Sequence, residues 1–433
     1  MRTAWIIFLV AIARWACAQD TLLTLDNAIA LALEHNYDIR IARNVREQAA
    51  NNSSAGQAGM LPRLDLNGAW ARTTGSTKQH LSSGLDVDRD NATSDNASAN
   101  VALTWTVFDG LRMFATRKKL EELAAQGEQA LRIQIENTTA NVITGYYDVV
   151  QQQQLLRSLA RQIAVADEVV TINERKLSNG SGSKLDVLTA RTERNALLSE
   201  KLATQAALDR AKVDLRNQLA LEPTTGYAVE DTVIIAYDPS LEQLKKDAGA
   251  QNSVLLLYDR QQRIAELGLK EYQAAHLPIV NLTGAYQFTR QSNNASFLLL
   301  NQNLGYTYGI TATVPLFNGF RLDTQIKNAK IDLLNAQLDY GKAVAQVNAD
   351  VFGAYQDLQA AKGVLKLEEE NIQAAGEMLA IARERYRVGA SNLIEMKDAQ
   401  ATYGQAIRRL AAARNAAKLA ETALRKLAGG LVR

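Results

Sequence analysis

Hydrophobic residues recur every seven positions, without a break, along a part of this chain that contains no proline. The line runs Ile135, Val142, Val149, Leu156, Ile163, Val170, Leu177, and a second runs Val344, Val351, Leu358, Leu365, Ile372, Leu379, Tyr386. Sustained sevens specify helices packed as coiled coils. Residues 63–222 and 316–433 hold no proline, so nothing interrupts them. The 65 residues from Met113 to Leu177 make a helix of about 100 Å, which cannot fold back into a globule. Beside the second line run Val347, Ala354, Ala361, Ala375 and Ala382, broken by Glu368. That small-residue line predicts close helix approach.

Each long helix is expected to end in a tight reversal. Ser178-Asn179-Gly180-Ser181-Gly182 and Arg387-Val388-Gly389-Ala390-Ser391 supply the glycines that cap a helix in the left-handed conformation. Return helices follow over Leu185–Leu221 and Ile394–Leu427. Gly180-Ser181-Gly182-Ser183-Lys184 lacks the spacing of a phosphate-binding loop and reads as helix reversal.

The chain is duplicated. Phe108-Asp109-Gly110-Leu111-Arg112 recurs as Phe317-Asn318-Gly319-Phe320-Arg321 at an offset of 209, which also maps Tyr146 onto Tyr355, Gly180 onto Gly389 and Asp186 onto Glu395. Upstream, Leu61-Pro62 recurs as Leu277-Pro278 and Gly68-Ala69 as Gly284-Ala285, at an offset of 216. The difference between 216 and 209 places a seven-residue length change between Gly68 and Phe108. The Ser/Asn/Asp-rich run from Thr73 to Asn100 is where a loop would absorb it.

Each half adds two alternating segments, expected as strand pairs 61–72/100–109 and 279–289/304–316. Val101, Leu103, Trp105 and Val107 alternate with small polar residues, as do Tyr306, Tyr308, Ile310 and Ala312. One apolar and one small polar face suits either an ordinary soluble hairpin or a membrane barrel with lipid outside and water inside. In lipid, four strands with open edges are not tolerated. Two copies would give eight strands and a lumen filled by side chains, so a duct needs three or more.

The N-terminus predicts export. Arg2, the apolar run Ala4–Ala13 and Ala16-Cys17-Ala18 form a secretory signal over residues 1–18, leaving Gln19 first; lipidation of Cys17 is the alternative. No later run is long and apolar enough for a membrane-spanning helix. The 48 basic and 46 acidic residues nearly cancel, so no nucleic-acid partner is expected. His35, His80 and His276 make no metal spacing, and no nucleophile pattern stands out. The chain reads as a non-enzyme without metal or cofactor.

At this point the chain resembles the TolC family of outer-membrane efflux and secretion channels. The resemblance is carried by Thr24-Leu25-Asp26-Asn27-Ala28-Ile29, Ala32-Leu33, Asn36, the two Leu-Pro pairs, Phe108-Asp109-Gly110, Val314-Pro315-Leu316-Phe317-Asn318-Gly319 and Tyr386-Arg387-Val388-Gly389. It implies a mainly α fold with a membrane β-barrel portion, in a trimer whose 12-stranded β-barrel continues into a 12-helix periplasmic α-barrel. The expected order is a first repeat over 19–221 (hairpin 113–221), an equatorial linker over 222–240 and a second repeat over 241–433 (hairpin 320–427). The implied partners are two further copies, a periplasmic adaptor with an inner-membrane pump or ABC transporter, and outer-membrane lipid. The cargo, whether drug, metal or protein, is not specified by the sequence. A trimeric coiled-coil stalk or adhesin is the competing reading, but the duplicated strand pairs speak against it.

The tips gather the candidate functional residues. Ser183-x-x-Asp186 and Asn392-x-x-Glu395 read as capping boxes. Asp398 lies one turn deeper on the face of Glu395. The resemblance implies a second role, in which Glu395 and Asp398 line a periplasmic constriction while Asp186 and Tyr386 join the contacts that hold it shut. Some relatives carry a basic residue where Ser391 stands, so that gate bond is absent or replaced. The apices Asn179, Gly180, Ser181 and Val388, Gly389, Ala390 match the adaptor-docking tips; turn geometry alone would also require those glycines.

Overall fold

The computed structural model describes residues 21–222, 226–295 and 298–431. The signal segment over 1–18, with Cys17, lies outside them. The first repeat comprises β1 (Thr21–Leu23), α1 (Leu25–His35), α2 (Tyr37–Asn52), β2 (Arg63–His80), β3 (Asp86–Asp109), α3 (Arg112–Ser178) and α4 (Lys184–Gln218). After β4 (Tyr227–Val229) come α5 (Leu241–Gln251), α6 (Ser253–Ala274), β5 (Ile279–Asn293), β6 (Leu300–Thr313), α7 (Arg321–Arg387) and α8 (Leu393–Leu427). Helices α3 and α7 each run 67 residues, as the absence of proline permits. No described helix is long and apolar enough to cross a membrane.

Two compact units emerge, and each draws on both repeats. One combines Met1–Asn44, Gln129–Leu256 and Lys342–Arg433, of which only the described residues are considered; the other combines Val45–Glu128 and Leu257–Gly341.

The first unit holds two cores that repeat one another. Val142, Val149 and Leu215 pack with Ala28 and Ala32, and their counterparts Val351, Leu358 and Leu424 pack with Leu244 and Ala248. Val142 and Val149 of the first heptad line and Val351 and Leu358 of the second are therefore fully buried seams. Glu368, which interrupts the small-residue line, is accommodated because Arg409 of α8 reaches it at 3.2 Å. One asparagine in each repeat joins two helix ends. Asn36 Oδ1 accepts from the N–H groups of Asp38 and Ile39 while its amide donates to Gln218 O at 2.8 Å. Asn252 does the same for Val254, Leu255 and Leu427 O at 2.9 Å. Each satisfies the orphan donors of one helix and a terminal carbonyl of another.

Residues 226–240 strap across the helices of this unit. β4 pairs with β1 in parallel, Lys418 Nζ donates to Ile234 O at 2.8 Å, and Lys362 Nζ donates to Tyr237 O at 2.7 Å and to Asp238 at 2.8 Å. Tyr146 links them further, donating to Leu23 O and accepting from the Glu230 N–H. Burial pushes the hydroxyls of Tyr147 and Tyr227 up to about 12, so both stay neutral.

The second unit contains one antiparallel sheet in the order β2-β3-β5-β6, with β2 and β6 as open edges. The register aligns Leu66, Val101, Tyr286 and Tyr306 across all four strands. Two rows on, Gly68, Ala99, Phe288 and Leu304 align on the same face; Leu64, Leu103 and Tyr308 occupy the preceding row with Gly284. The opposite face carries Asn67, Asn100, Gln287 and Gly305, then Asp65, Ala102, Ala285 and Thr307.

The strands differ from expectation in one region. The Thr73–Asn100 run, read from its polarity as a loop, is mostly hairpin: β2 reaches His80 and β3 begins at Asp86. Pairing there needs no apolar side chains. Cross-strand pairs Arg72–Asp95 at 2.7 Å, Lys78–Asp88 at 2.9 Å and His80–Asp86 line the ladder, and a bulge between Gly75 and Thr77 absorbs a register shift. The length difference between the repeats is thus a longer strand pair.

Candidate functional site at the helix-hairpin tips

Backbone geometry builds both tips alike. At the first, the Gly180 N–H donates to Leu177 O and the Ser181 N–H to Lys176 O; at the second, Gly389 donates to Tyr386 O and Ala390 to Arg385 O. That pair of bonds closes a helix with one residue in the left-handed region, and Gly180 and Gly389 occupy it at φ +72° and +78°. Nothing lies within 4 Å of where a Cβ would stand on either. Backbone conformation, not space, demands glycine there. The six apex residues Asn179, Gly180, Ser181, Val388, Gly389 and Ala390 are all exposed.

The return helices begin on capped ends, but the expected capping boxes are half made. Asn392 Oδ1 accepts from the Glu395 N–H at 2.9 Å. The Glu395 carboxylate does not return the bond. One oxygen is ion-paired with Arg385 at 2.8 Å and the other accepts from Ser391 Oγ at 2.8 Å. At the first tip, Ser183 Oγ accepts from Leu185 rather than Asp186. Each acid is spared for other work because one cap already satisfies the helix start. Arg385 lies in the last turn of α7.

Tyr386 is the buried centre of the region. It is 3% exposed and its hydroxyl donates to Asn173 Oδ1 of α3 at 2.7 Å, while Asn173 Nδ2 is spent on Val169 O. The Lys176 ammonium lies over its ring at 4.2 Å. Burial raises the Tyr386 hydroxyl above its ordinary value, the Asn173 bond opposes the rise, and the Asp186 charge adds to it. Tyr386 thus ties the second helix hairpin to the first within one chain, with Asp186 close enough to act electrostatically. Asp398 is exposed on α8. Of the other charged residues at this tip, Lys397 pairs with Glu193 at 3.3 Å, Arg387 with Glu384 at 2.6 Å, and Arg383 with Glu168.

Sequence reasoning named Asp186, Tyr386, Glu395 and Asp398 and the apices. It missed Arg385, Asn173 and Lys176. Arg385 meets Glu395 only through the turn, and no helical period links positions on two antiparallel helices.

Among the described residues, no cluster of three side chains is placed to hold a metal ion. A four-stranded sheet with an apolar face and open edges, in a chain that also forms two proline-free helix hairpins, is what a subunit of an outer-membrane channel requires.

Comparison with known proteins agrees. The sequence profile of the outer membrane efflux protein family matches residues 28–221 and 251–430. TolC of Salmonella enteritidis is 22% identical over 393 residues, spanning 88% of this chain and 76% of the relative. The proteases secretion protein PrtF of Dickeya chrysanthemi is 21% identical over 378 residues, spanning 84% and 79%. The solved CmeC outer membrane channel of Campylobacter jejuni shares the fold, with a TM-score of 0.80 at 15% identity over 94% of this chain and 85% of that one. The chain belongs to the outer membrane efflux protein family, in which TolC-type transport channels reside, and is an outer-membrane protein.

Proposed function

We propose that three copies of this chain close their sheets into one 12-stranded barrel, continue it as a 12-helix tunnel, admit solutes through an opening at the hairpin tips and conduct them out across the outer membrane. The observation that carries this reading is the four-stranded sheet with an apolar face and two unpaired edges. Unpaired backbone groups in lipid cost several kcal/mol each, so the edges must meet other copies. Two copies would leave too narrow a lumen for transport; three agree with the resemblance.

The exposed apices Asn179, Gly180, Ser181, Val388, Gly389 and Ala390 are the docking points for a periplasmic adaptor, which would link the duct to an inner-membrane pump or ABC transporter. Bare glycines at both turns let a partner helix hairpin approach closely. Asp186, Tyr386, Glu395 and Asp398 form the gate, with Tyr386 locking one hairpin against the other and the acids turned to the passage. An efflux family name and a protease-secreting relative leave both small solutes and proteins as cargo classes. Purified protein in planar bilayers tests the reading: discrete cation-favouring currents are expected, and a protein that inserts without current would refute the duct.

A further inference from the structure

We infer that Arg385 sets the charge of the entrance by holding Glu395 in a bond within its own hairpin, so that of the second tip's two carboxylates Asp398 alone keeps an uncompensated charge in the passage. The inference rests on the reading of the second tip as the constriction.

Between positions 383 and 398 the chain carries seven charged side chains: Arg383, Glu384, Arg385, Arg387, Glu395, Lys397 and Asp398. All but the last are ion-paired within the chain. Both Glu395 oxygens are engaged, by Arg385 and by Ser391, and the guanidinium is held further by Ala390 O at 3.4 Å. A pair this exposed adds little to stability. Its consequence is electrostatic, since it cancels one of two neighbouring negative charges on one face of α8.

Hairpin geometry does not force the pair. The offset of 209 places Lys176 at the position of Arg385 and Asp186 at that of Glu395, in a turn with the same backbone bonds. There the cation goes instead to the Tyr386 ring, and Thr189 stands where the second tip has Asp398. The side chains of the second tip, not its fold, therefore determine how many carboxylates face the passage.

The test is block of bilayer current by gadolinium(III) added on the side of the hairpin tips. Asp398→Asn should weaken block at least tenfold. Arg385→Gln should tighten it about tenfold, the order expected when a trivalent ion gains a carboxylate within a few ångströms in a water-filled passage. Arg385→Lys, which restores a cation, should return block to the parental value, and Glu395→Gln added to Arg385→Gln should remove the gain. Unchanged block in Arg385→Gln, or equal weakening by Glu395→Gln and Asp398→Asn, would overturn the role of Arg385 and leave the constriction standing. Unchanged block in Asp398→Asn would overturn both.

Discussion

Lys176 and Asp186 at the first tip occupy the positions of Arg385 and Glu395 at the second, yet only the second pair closes. The backbones around them are nearly the same, with the same terminal bonds and the same left-handed glycine. The matched residue for Tyr386 in the first repeat is Leu177, which is 39% exposed where Tyr386 is buried. Duplication preserved the turn and let the side chains diverge. The shared part is architecture, and the divergent part is where a gate can be built.

The same contrast runs through other matched positions and can be broken by substitution. The largest effect is expected at Gly429, which has φ +70° and whose Cβ would meet Gln251 O at 2.6 Å. Gly429→Ala should cost about 3 kcal/mol from strain and overlap, seen as a lower thermal midpoint of the detergent-extracted protein. Next comes Tyr386→Phe, which strands the buried Asn173 oxygen and should cost about 1–3 kcal/mol. It should also raise the share of time spent in a high-conductance state, whereas Leu177→Ala should leave that share unchanged. Equal effects of the two would erase the distinction between the tips.

The asparagine bridges should behave alike. Asn36→Ala and Asn252→Ala should each cost about 1 kcal/mol, the usual value of a lost cap, read as matched drops in thermal midpoint. The smallest effect is expected at Ala220, which takes φ +52° at the position matched by Gly429. Ala220→Gly should stabilise by less than about 1 kcal/mol, the opposite sign to the Gly429 change.

Much of this was legible in the residues. The heptad lines predicted the buried seams, since Val142, Val149, Val351 and Leu358 are all fully buried, and the offsets of 209 and 216 predicted which residues play matching parts. Alternation gave the apolar face of the sheet. The extension of β2 to His80 and of β3 back to Asp86, within the run Thr73–Asn100, was hidden because its pairing rests on Arg72–Asp95, Lys78–Asp88 and a bulge, and polar alternation looks like loop. At the tips, spacing identified Glu395 as a capping acid, and the Asn392 side chain does cap that helix. The diversion of its carboxylate to Arg385 depends on two antiparallel helices meeting across a turn, which carries no periodic signal. Asn173 was silent for a similar reason, being one more polar residue in a long helix until Tyr386 folds against it.

The central claim is that the open edges β2 and β6 meet in other copies of the chain. Chains carrying two cysteines, one on β2 between Leu64 and Trp70 and one on β6 between Leu304 and Ile310, oxidised in intact outer membranes, test it directly. Paired positions should trap species of two and three chains and nothing larger, with the three-chain species closed in a ring. A chain that stays single, or that cross-links only within itself, would contradict the assembly and with it the duct.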